Sequence, residues 1–227
     1  LALIDMWQRS EIEELKSRGY VINDSWDAIK LFEDKIAKYT GAKYAIAVDS
    51  CSSALFLSMK YCNVTEINIP NRTYISVPMM AKMHSSTCKV NFCDTAWKKW
   101  YSLNPISDND LDIIDCAVTL EKNMYQSNSL QCISFQHRKP LKIGKGGIIL
   151  TDSKDASNWL RKASYDGRDR NKMFSEDSIE MLGYHMYMTP EDGARGVLLL
   201  DEYTAQRNEI GSIDYPNISK FTAFKDF

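Results

Sequence analysis

The sequence predicts an α/β protein, with a mainly parallel sheet flanked by helices. Three observations lead there. Short apolar runs alternate with helical patterns along the chain, the order of elements that builds such a sheet. One run, residues 44–48, leads through a hydroxyl-rich turn directly into a helix. And 227 residues, 44% hydrophobic and 26% charged, with no Pro/Gly/Ser-rich linker, suffice for one large core and show no signature of disorder.

Residues 1–25 are expected to form a helical N-terminal segment. Trp26, Ile29, Phe32, Ile36 and Tyr39 then recur at spacings of three and four, behind Asp24 or Ser25 as N-cap and ahead of Gly41 as C-cap. That pattern predicts an amphipathic helix. Residues 44–48 read as a strand, Asp49-Ser-Cys-Ser-Ser53 as a turn, and residues 54–61 as the helix it opens. Further strands are expected at 67–69, 89–92, 111–114, 132–135 and 147–151, with helical patterns over 73–83 and 153–165. Residues 165–182 are polar and read as a loop. Thr189-Pro-Glu-Asp192 supplies an N-cap, a proline at the first helical position and an acid three residues after the cap, so a helix should run to about Glu209. The whole, 1–227, is expected to be a single domain, with a core over 26–211 and a short tail over 212–227.

Lys and Arg number 28 against 30 Asp and Glu, with no run of like charge, so no nucleic-acid partner is expected. The longest apolar stretches, such as 45–48 and 197–200, fall far short of the ~20 residues that cross a bilayer, and no membrane association is expected. The opening LALIDMWQRSEIEELK has no basic segment or cleavage site of an export signal. The six cysteines, at 51, 62, 88, 93, 116 and 132, form no CxxC pair. The expectation is a cytoplasmic protein with reduced thiols and no metal site.

Three places could carry chemistry. Ser50-Cys51-Ser52-Ser53 combines backbone N–H groups, hydroxyls and the positive end of a helix dipole, which suits a phosphate; a serine N-cap without a ligand is the other reading. Asp115 ends an apolar strand, at the edge where open α/β sheets place ligands, or else is a turn residue. Ser134-Phe-Gln-His-Arg-Lys139-Pro-Leu-Lys-Ile-Gly144-Lys-Gly146-Gly147 is a strand running into a basic, glycine-rich loop. Lys139 there is either a Schiff-base lysine or a solvated charge, with Lys142 and Lys145 as competitors in the same loop.

Residues 32–55, FEDKIAKYTGAKYAIAVDSCSSAL, are followed by Ile69-Pro70 with Thr73-Tyr74, by Ile113-Ile-Asp115-Cys-Ala117, by Ser134-Phe135 with Lys139 five residues after the serine, and by Gly183-Tyr-His-Met-Tyr-Met188. This series resembles the pyridoxal-phosphate-dependent sugar aminotransferases of the DegT/StrS group. There the same places read as an FE helix, a KYAVAV-like strand, an SGT-AL turn, an aromatic turn, an IEDAA strand end, an SF-K signature with a following GG, and a GYNYRM motif. Each is weak alone, but the ordered set from about Glu33 to Arg207 is specific.

The resemblance implies the large domain of the fold-type I pyridoxal-phosphate transferases, in a compact variant lacking most of the small C-terminal domain. It implies catalytic roles for Lys139, as the Schiff-base lysine and proton carrier, and for Asp115, as partner of the pyridine nitrogen. Tyr74 would stack on the ring, Cys51 and Ser52 would hold the phosphate, and Ser134 would bond near the phosphate or ring hydroxyl. His185, at the asparagine position of GYNYRM, would reach the cofactor of a neighbouring subunit, making a homodimer with shared sites. The implied reaction moves an amino group, with glutamate as the expected donor, to a keto group of a nucleotide-linked deoxysugar, and Arg168, Arg170 and Lys172 could meet the diphosphate or form a solvated loop.

The sequence departs from the family in having Val118 at a Gln or His position, Tyr187 at the arginine of GYNYRM, and Cys51 at the glycine of SGT. Only 20 residues separate Asp94 from Asp115, where the family carries a further strand and helix. Two other readings are a non-catalytic remnant that keeps the scaffold, and a sugar dehydratase using the same cofactor. The dehydratases replace the lysine by histidine, so Lys139 opposes the second; His137 does not occupy that position.

Overall fold

The computed structural model describes residues 9–204 and 211–225. Helix α1 (Ser10–Ser17) lies within the expected N-terminal helical segment, of which residues 1–8 fall outside the described residues. In α2 (Ser25–Thr40) the Asp24 carboxylate accepts from the N–H groups of Trp26 and Asp27, while Asp27 reaches back to the N–H of Asp24. This capping box starts the helix, and Gly41, with φ +80°, ends it. The chain continues through β1 (Tyr44–Val48), α3 (Cys51–Cys62), β2 (Glu66–Pro70), α4 (Ser76–His84), β3 (Lys89–Cys93), β4 (Tyr101–Ser102), β5 (Asp112–Asp115), β6 (Ser129–Ser134), β7 (Gly147–Thr151), α5 (Lys154–Ala163) and α6 (Pro190–Asp201). Thr189 caps α6 as predicted, but the helix ends at Asp201. The expected end at Glu209 lies outside the described residues.

The strands form a five-stranded sheet in the order β1-β7-β6-β5-β4 and a parallel pair β2-β3. The α/β architecture is as predicted, whereas the expectation of a mainly parallel sheet is corrected to a mixed one. Within the larger sheet only β5 and β6 are parallel. The reason lies in the connections. After β6 the chain folds back on itself, Phe135 and Gly144 donating N–H bonds to Gly146 and Phe135 carbonyls at 3.0 Å. Such a hairpin-like return delivers β7 antiparallel, without the crossover that a parallel neighbour requires.

The sequence gives no sign of β4, because two residues are too few to display a period. Tyr101 and Ser102 pair antiparallel with Asp115 and Ile114, and Leu103 continues by donating to Ile113 O at 2.8 Å. On its other side this segment meets β2: Asn68 donates to Leu103 O, and Thr65 and Glu66 exchange bonds with Ile106 at 2.8–2.9 Å. Residues 101–106 thus fill the gap between the two sheets, and the backbone groups of β2 and β5 that would otherwise lie unpaired are bonded.

Side chains alternate across the larger sheet. Ile46, Val48, Ile113, Leu130, Cys132 and Ile149 pack with Leu55 and Met59 of α3 and Leu160 of α5. Ala45, Ala47, Ile114, Ile133, Ile148 and Leu150 pack with Ile29, Phe32 and Ile36 of α2 and Val197 of α6. Both faces are covered, which is why the strands read as continuous apolar runs rather than as an alternation. At the outer edge of β1, Ala47 N–H donates to Glu33 Oε1 at 2.8 Å and Ala45 O accepts from Arg161 Nη2 at 2.9 Å, while Arg161 pairs with Glu33 directly. Two charged side chains therefore satisfy the backbone of an edge strand. Among the described residues, no helix is long and apolar enough to cross a membrane.

Candidate active site

The turn between β1 and α3 begins with Ser50, whose Oγ accepts from Ser53 N–H at 3.1 Å and whose carbonyl accepts from Ala54 N–H. The N–H groups of Cys51 and Ser52 stand earlier in the first turn, outside the helix's own ladder. Behind them passes Gly147. A Cβ there would lie 2.4 Å from the Ser50 carbonyl carbon and 2.5 Å from Cys51 N, so only glycine allows β7 this close to the turn. Gly147 is explained by packing: it lets the N-terminal end of α3 rest on the sheet.

A cavity of about 590 Å³ opens at this point, within the range of small-molecule sites. Cys51, Ser52, Tyr74, Asp115, Ser134 and Lys139 all line it. Six of the seven residues singled out in the sequence, drawn from four separate segments, therefore converge. Ser134 ends β6, and its Oγ accepts from Gln136 N–H at 3.4 Å. Lys139 sits in the turn that follows, its own N–H bonded to Gln136 O at 2.8 Å. It is half-buried, and among the described residues no carboxylate pairs with its ammonium. Of its competitors, Lys145 reaches the rim 3.7 Å from Asp49 Oδ2, while Lys142 is exposed and lies off the cavity. His137 is an exposed loop residue.

Asp115 is the buried charge of the cavity. Its Oδ1 accepts from Ala117 N–H and its Oδ2 from the Tyr101 hydroxyl, both at 2.9 Å. Burial pushes its carboxyl above the usual carboxylate value, against the pull of the Ala117 amide, the Tyr101 hydroxyl and the Lys139 charge. Burial and the neighbouring Asp115 push the Tyr101 phenol well up, so this tyrosine is a neutral donor. Cys51 is likewise pushed well above the ordinary thiol value, by burial first.

His185 does not join the cavity. It is exposed, and its Nδ1 lies 3.0 Å from Asp166 Oδ2. Tyr187 packs edge-on against Trp26 and Tyr165, at 5.5 and 5.2 Å, and so serves an aromatic cluster. Arg170 lies 4.8 Å over Trp26, and Arg168 4.7 Å over Phe174. Their guanidiniums face aromatic rings and the carboxylates of Glu33 and Asp177, at 3.8 Å, rather than the cavity. Val118 is buried.

Sequence reasoning missed Tyr101, the donor to Asp115, and also Asp214 and Tyr215, which line the cavity mouth. The chain past residue 211 folds back along the turn after β2. Ile218 N–H bonds Asn71 O at 2.8 Å, Arg72 bonds Tyr215 O, and the Tyr215 ring stacks on Trp97 at 5.8 Å. Tyr74, the expected ring-stacking residue, is 56% exposed at the mouth, its ring centroid 6.5 Å from that of Tyr215. No local signal marks Asp214 and Tyr215, because their place depends on tertiary folding alone.

The fold has counterparts among known proteins. The spore coat polysaccharide biosynthesis protein SpsC of Bacillus subtilis is 24% identical over 92% of this chain and 66% of its own length. AtS13 from Actinomadura melliaura superposes with a TM-score of 0.68 at 16% identity, and the sugar aminotransferase CalS13 from Micromonospora echinospora with 0.66 at 13%. Each alignment covers 85% of this chain and 65% of the other. The chain thus spans just under two thirds of these relatives, and at such identities the structural likeness establishes the fold. The model of the DegT/DnrJ/EryC1/StrS aminotransferase family matches residues 4–104 and 116–214. The gap between the two blocks, residues 105–115, includes Asp115, and five of the six cavity residues fall inside the blocks. A match over most of the sequence means that the chain belongs to the DegT/DnrJ/EryC1/StrS aminotransferase family.

Proposed function

We propose that this chain is the cofactor-binding part of a pyridoxal-phosphate-dependent sugar aminotransferase that moves an amino group from an amino-acid donor, glutamate, to a keto group of a nucleotide-linked deoxysugar. The observation that carries the reading is the meeting of Cys51, Ser52, Tyr74, Asp115, Ser134 and Lys139 around one cavity. The donor set fits the cofactor: N–H groups at a helix N-terminus for the phosphate, a buried carboxylate for a protonated ring nitrogen, and an amine without a carboxylate partner for the aldehyde. When bound, pyridoxal phosphate supplies an electron sink for bond breaking at the amino-bearing carbon.

The chain's own residues do the rest. Cys51 N–H, with Ser52 N–H and Oγ, holds the phosphate and so fixes the ring's reach into the cavity. Ser134 Oγ adds a hydrogen bond at the same side, and Tyr74 covers one ring face. Asp115 keeps a proton on the ring nitrogen, which the low polarity around a buried carboxylate strengthens. Lys139 Nζ would retain the cofactor and would accept and return the proton that must move during amino transfer.

The homodimer belongs to this proposal. His185, exposed shortly after the exposed Phe174 and Leu182 in the chain, would reach the site of a second copy. These apolar side chains suit an interface better than water.

The visible spectrum of the protein with pyridoxal phosphate, before and after glutamate, tests the reading. A band that glutamate converts to that of the amine form of the cofactor is the expected result; no band at all would overturn it in favour of a non-catalytic scaffold. Lys139→Ala should keep the fold while losing covalent cofactor and at least a thousandfold in amino transfer, roughly the range general acid–base catalysis covers.

A further inference from the structure

Asp115 and Tyr101 face each other across the antiparallel β4–β5 pair, so their side chains share the face of the sheet that borders the cavity. The phenol is 6% exposed. Its oxygen lies 2.9 Å from Asp115 Oδ2 and 2.5 Å from Thr73 Oγ1, which is also buried. The directions follow from valence. A carboxylate only accepts, so the single hydroxyl proton of Tyr101 goes to Asp115, and Thr73 must then be the donor to the tyrosine oxygen. Thr73 and Tyr101 form a two-step donor chain that ends on the carboxylate.

We propose that Tyr101 is a positioning residue which, oriented by Thr73, fixes the Asp115 carboxylate in its ionised form and aims its remaining lone pairs into the cavity. The proposal rests on the reading of Asp115 as the partner of the cofactor's ring nitrogen. It adds the group that makes a carboxylate tolerable there. A buried carboxylate left with the Ala117 amide as its single donor would gain a proton more readily. A protonated Asp115 could no longer hold a proton on the ring.

The other groups around Asp115 leave this task to Tyr101. Lys139, in the loop after β6, supplies a positive charge that lowers the Asp115 carboxyl, though less than the tyrosine does. Cys51, Cys116 and Cys132 are held neutral by burial. Tyr215, across the mouth, is raised to about 12 by burial and is neutral as well. Glu33 and its arginines lie at the far edge of the sheet, outside β1.

The test is an NMR titration of the cofactor-free protein labelled with 13C at the aspartate carboxyls, the Asp115 signal being identified by its loss in Asp115→Asn. Tyr101→Phe removes one oxygen atom and keeps the ring. It should raise the Asp115 midpoint by about one unit, a tenfold change in its acid constant, because a hydrogen bond to a charged group is lost. Thr73→Val should raise it by less, in the same direction. A midpoint unmoved in both variants overturns the proposal.

Affinity for pyridoxal phosphate, followed by fluorescence quenching, gives a second readout. Tyr101→Phe should weaken binding about tenfold in the parent protein and have no effect on top of Asp115→Asn. Equal effects in both backgrounds would mean that Tyr101 acts independently of Asp115, and would refute the proposal. Should the parent protein take up no pyridoxal phosphate, the functional reading fails, while the carboxyl titration still decides the role of Tyr101.

Discussion

Glu33 and Asp115 are both almost wholly removed from water, and their surroundings differ. Glu33, 1% exposed, meets the Arg161 guanidinium, the Ala47 amide and, at 3.8 Å, a second guanidinium from Arg170. Its charge is neutralised within the protein, and its bonds tie α2, β1 and α5 together. Asp115, 6% exposed, has an amide and a neutral phenol, and the nearest cation that lowers it is on a loop across the cavity. A buried acid whose partners complete it holds a structure together. One whose partners leave lone pairs and charge uncompensated has a place for a ligand, and its cost to stability is a reason to regard it as functional.

Exchanging each acid's role by mutation tests that contrast. The largest effect should come from Asp115→Asn: a loss of roughly 10²–10³ in amino-transfer turnover, the size found when a single stabilising group is removed from a reacting centre. Its melting temperature should change little. Thermal unfolding next to steady-state rates checks both, and a collapse of stability would show that Asp115 holds the fold as Glu33 does.

Arg161→Ala should do the reverse. Breaking a buried pair costs about 3–5 kcal/mol. Because Arg161 is about one third exposed, the lower end applies, or roughly 6–12 °C in melting temperature for a chain of this size. Cofactor affinity should be unchanged, and a parallel loss of affinity would break the comparison.

The smallest effect is in pH. Burial raises the Asp115 carboxyl in the folded state above its ordinary value of 3.8. The folded chain therefore binds this proton more tightly than the unfolded chain does, even though the carboxylate is the form at neutral pH. The stabilising contribution of that proton is complete below about pH 4 and is lost as pH rises through the raised value. The difference in melting temperature between the parent and Asp115→Asn should shrink over that window by a few degrees at most. A difference that grows with pH would mean that the folded chain binds the proton less tightly than the unfolded one.

Much of this was legible from the residues. Strand ends sit next to their own turns in the sequence, so the turn at Cys51-Ser52, Asp115 and the loop holding Lys139 could be located from the apolar run before each, while the resemblance singled out Lys139 from Lys142 and Lys145. The α2 capping box is equally local. What escaped depends on partners distant along the chain. The antiparallel return of β7 is set by how residues 135–146 fold back, not by the strands' composition. Tyr101 gains its place from pairing with β5, and Tyr215 from stacking on Trp97. Arg168 and Arg170 looked like loop charges, yet aromatic faces, which sequence spacing does not reveal, draw them inward.

The segment that closes the gap between β5 and β2 sets an unequal tolerance to changes in length. Side chains alternate faces along a strand, so inserting or deleting one residue at positions 101–103 would turn the tyrosine away from Asp115 and present a neighbour instead. The run just before it, residues 94–100, is largely exposed and outside any strand or helix, and carries no such parity. Over evolutionary time, lengths should vary freely on one side of Tyr101 and only in steps of two on the other. A lineage that trimmed this connection could therefore keep its chemistry only by trimming in phase.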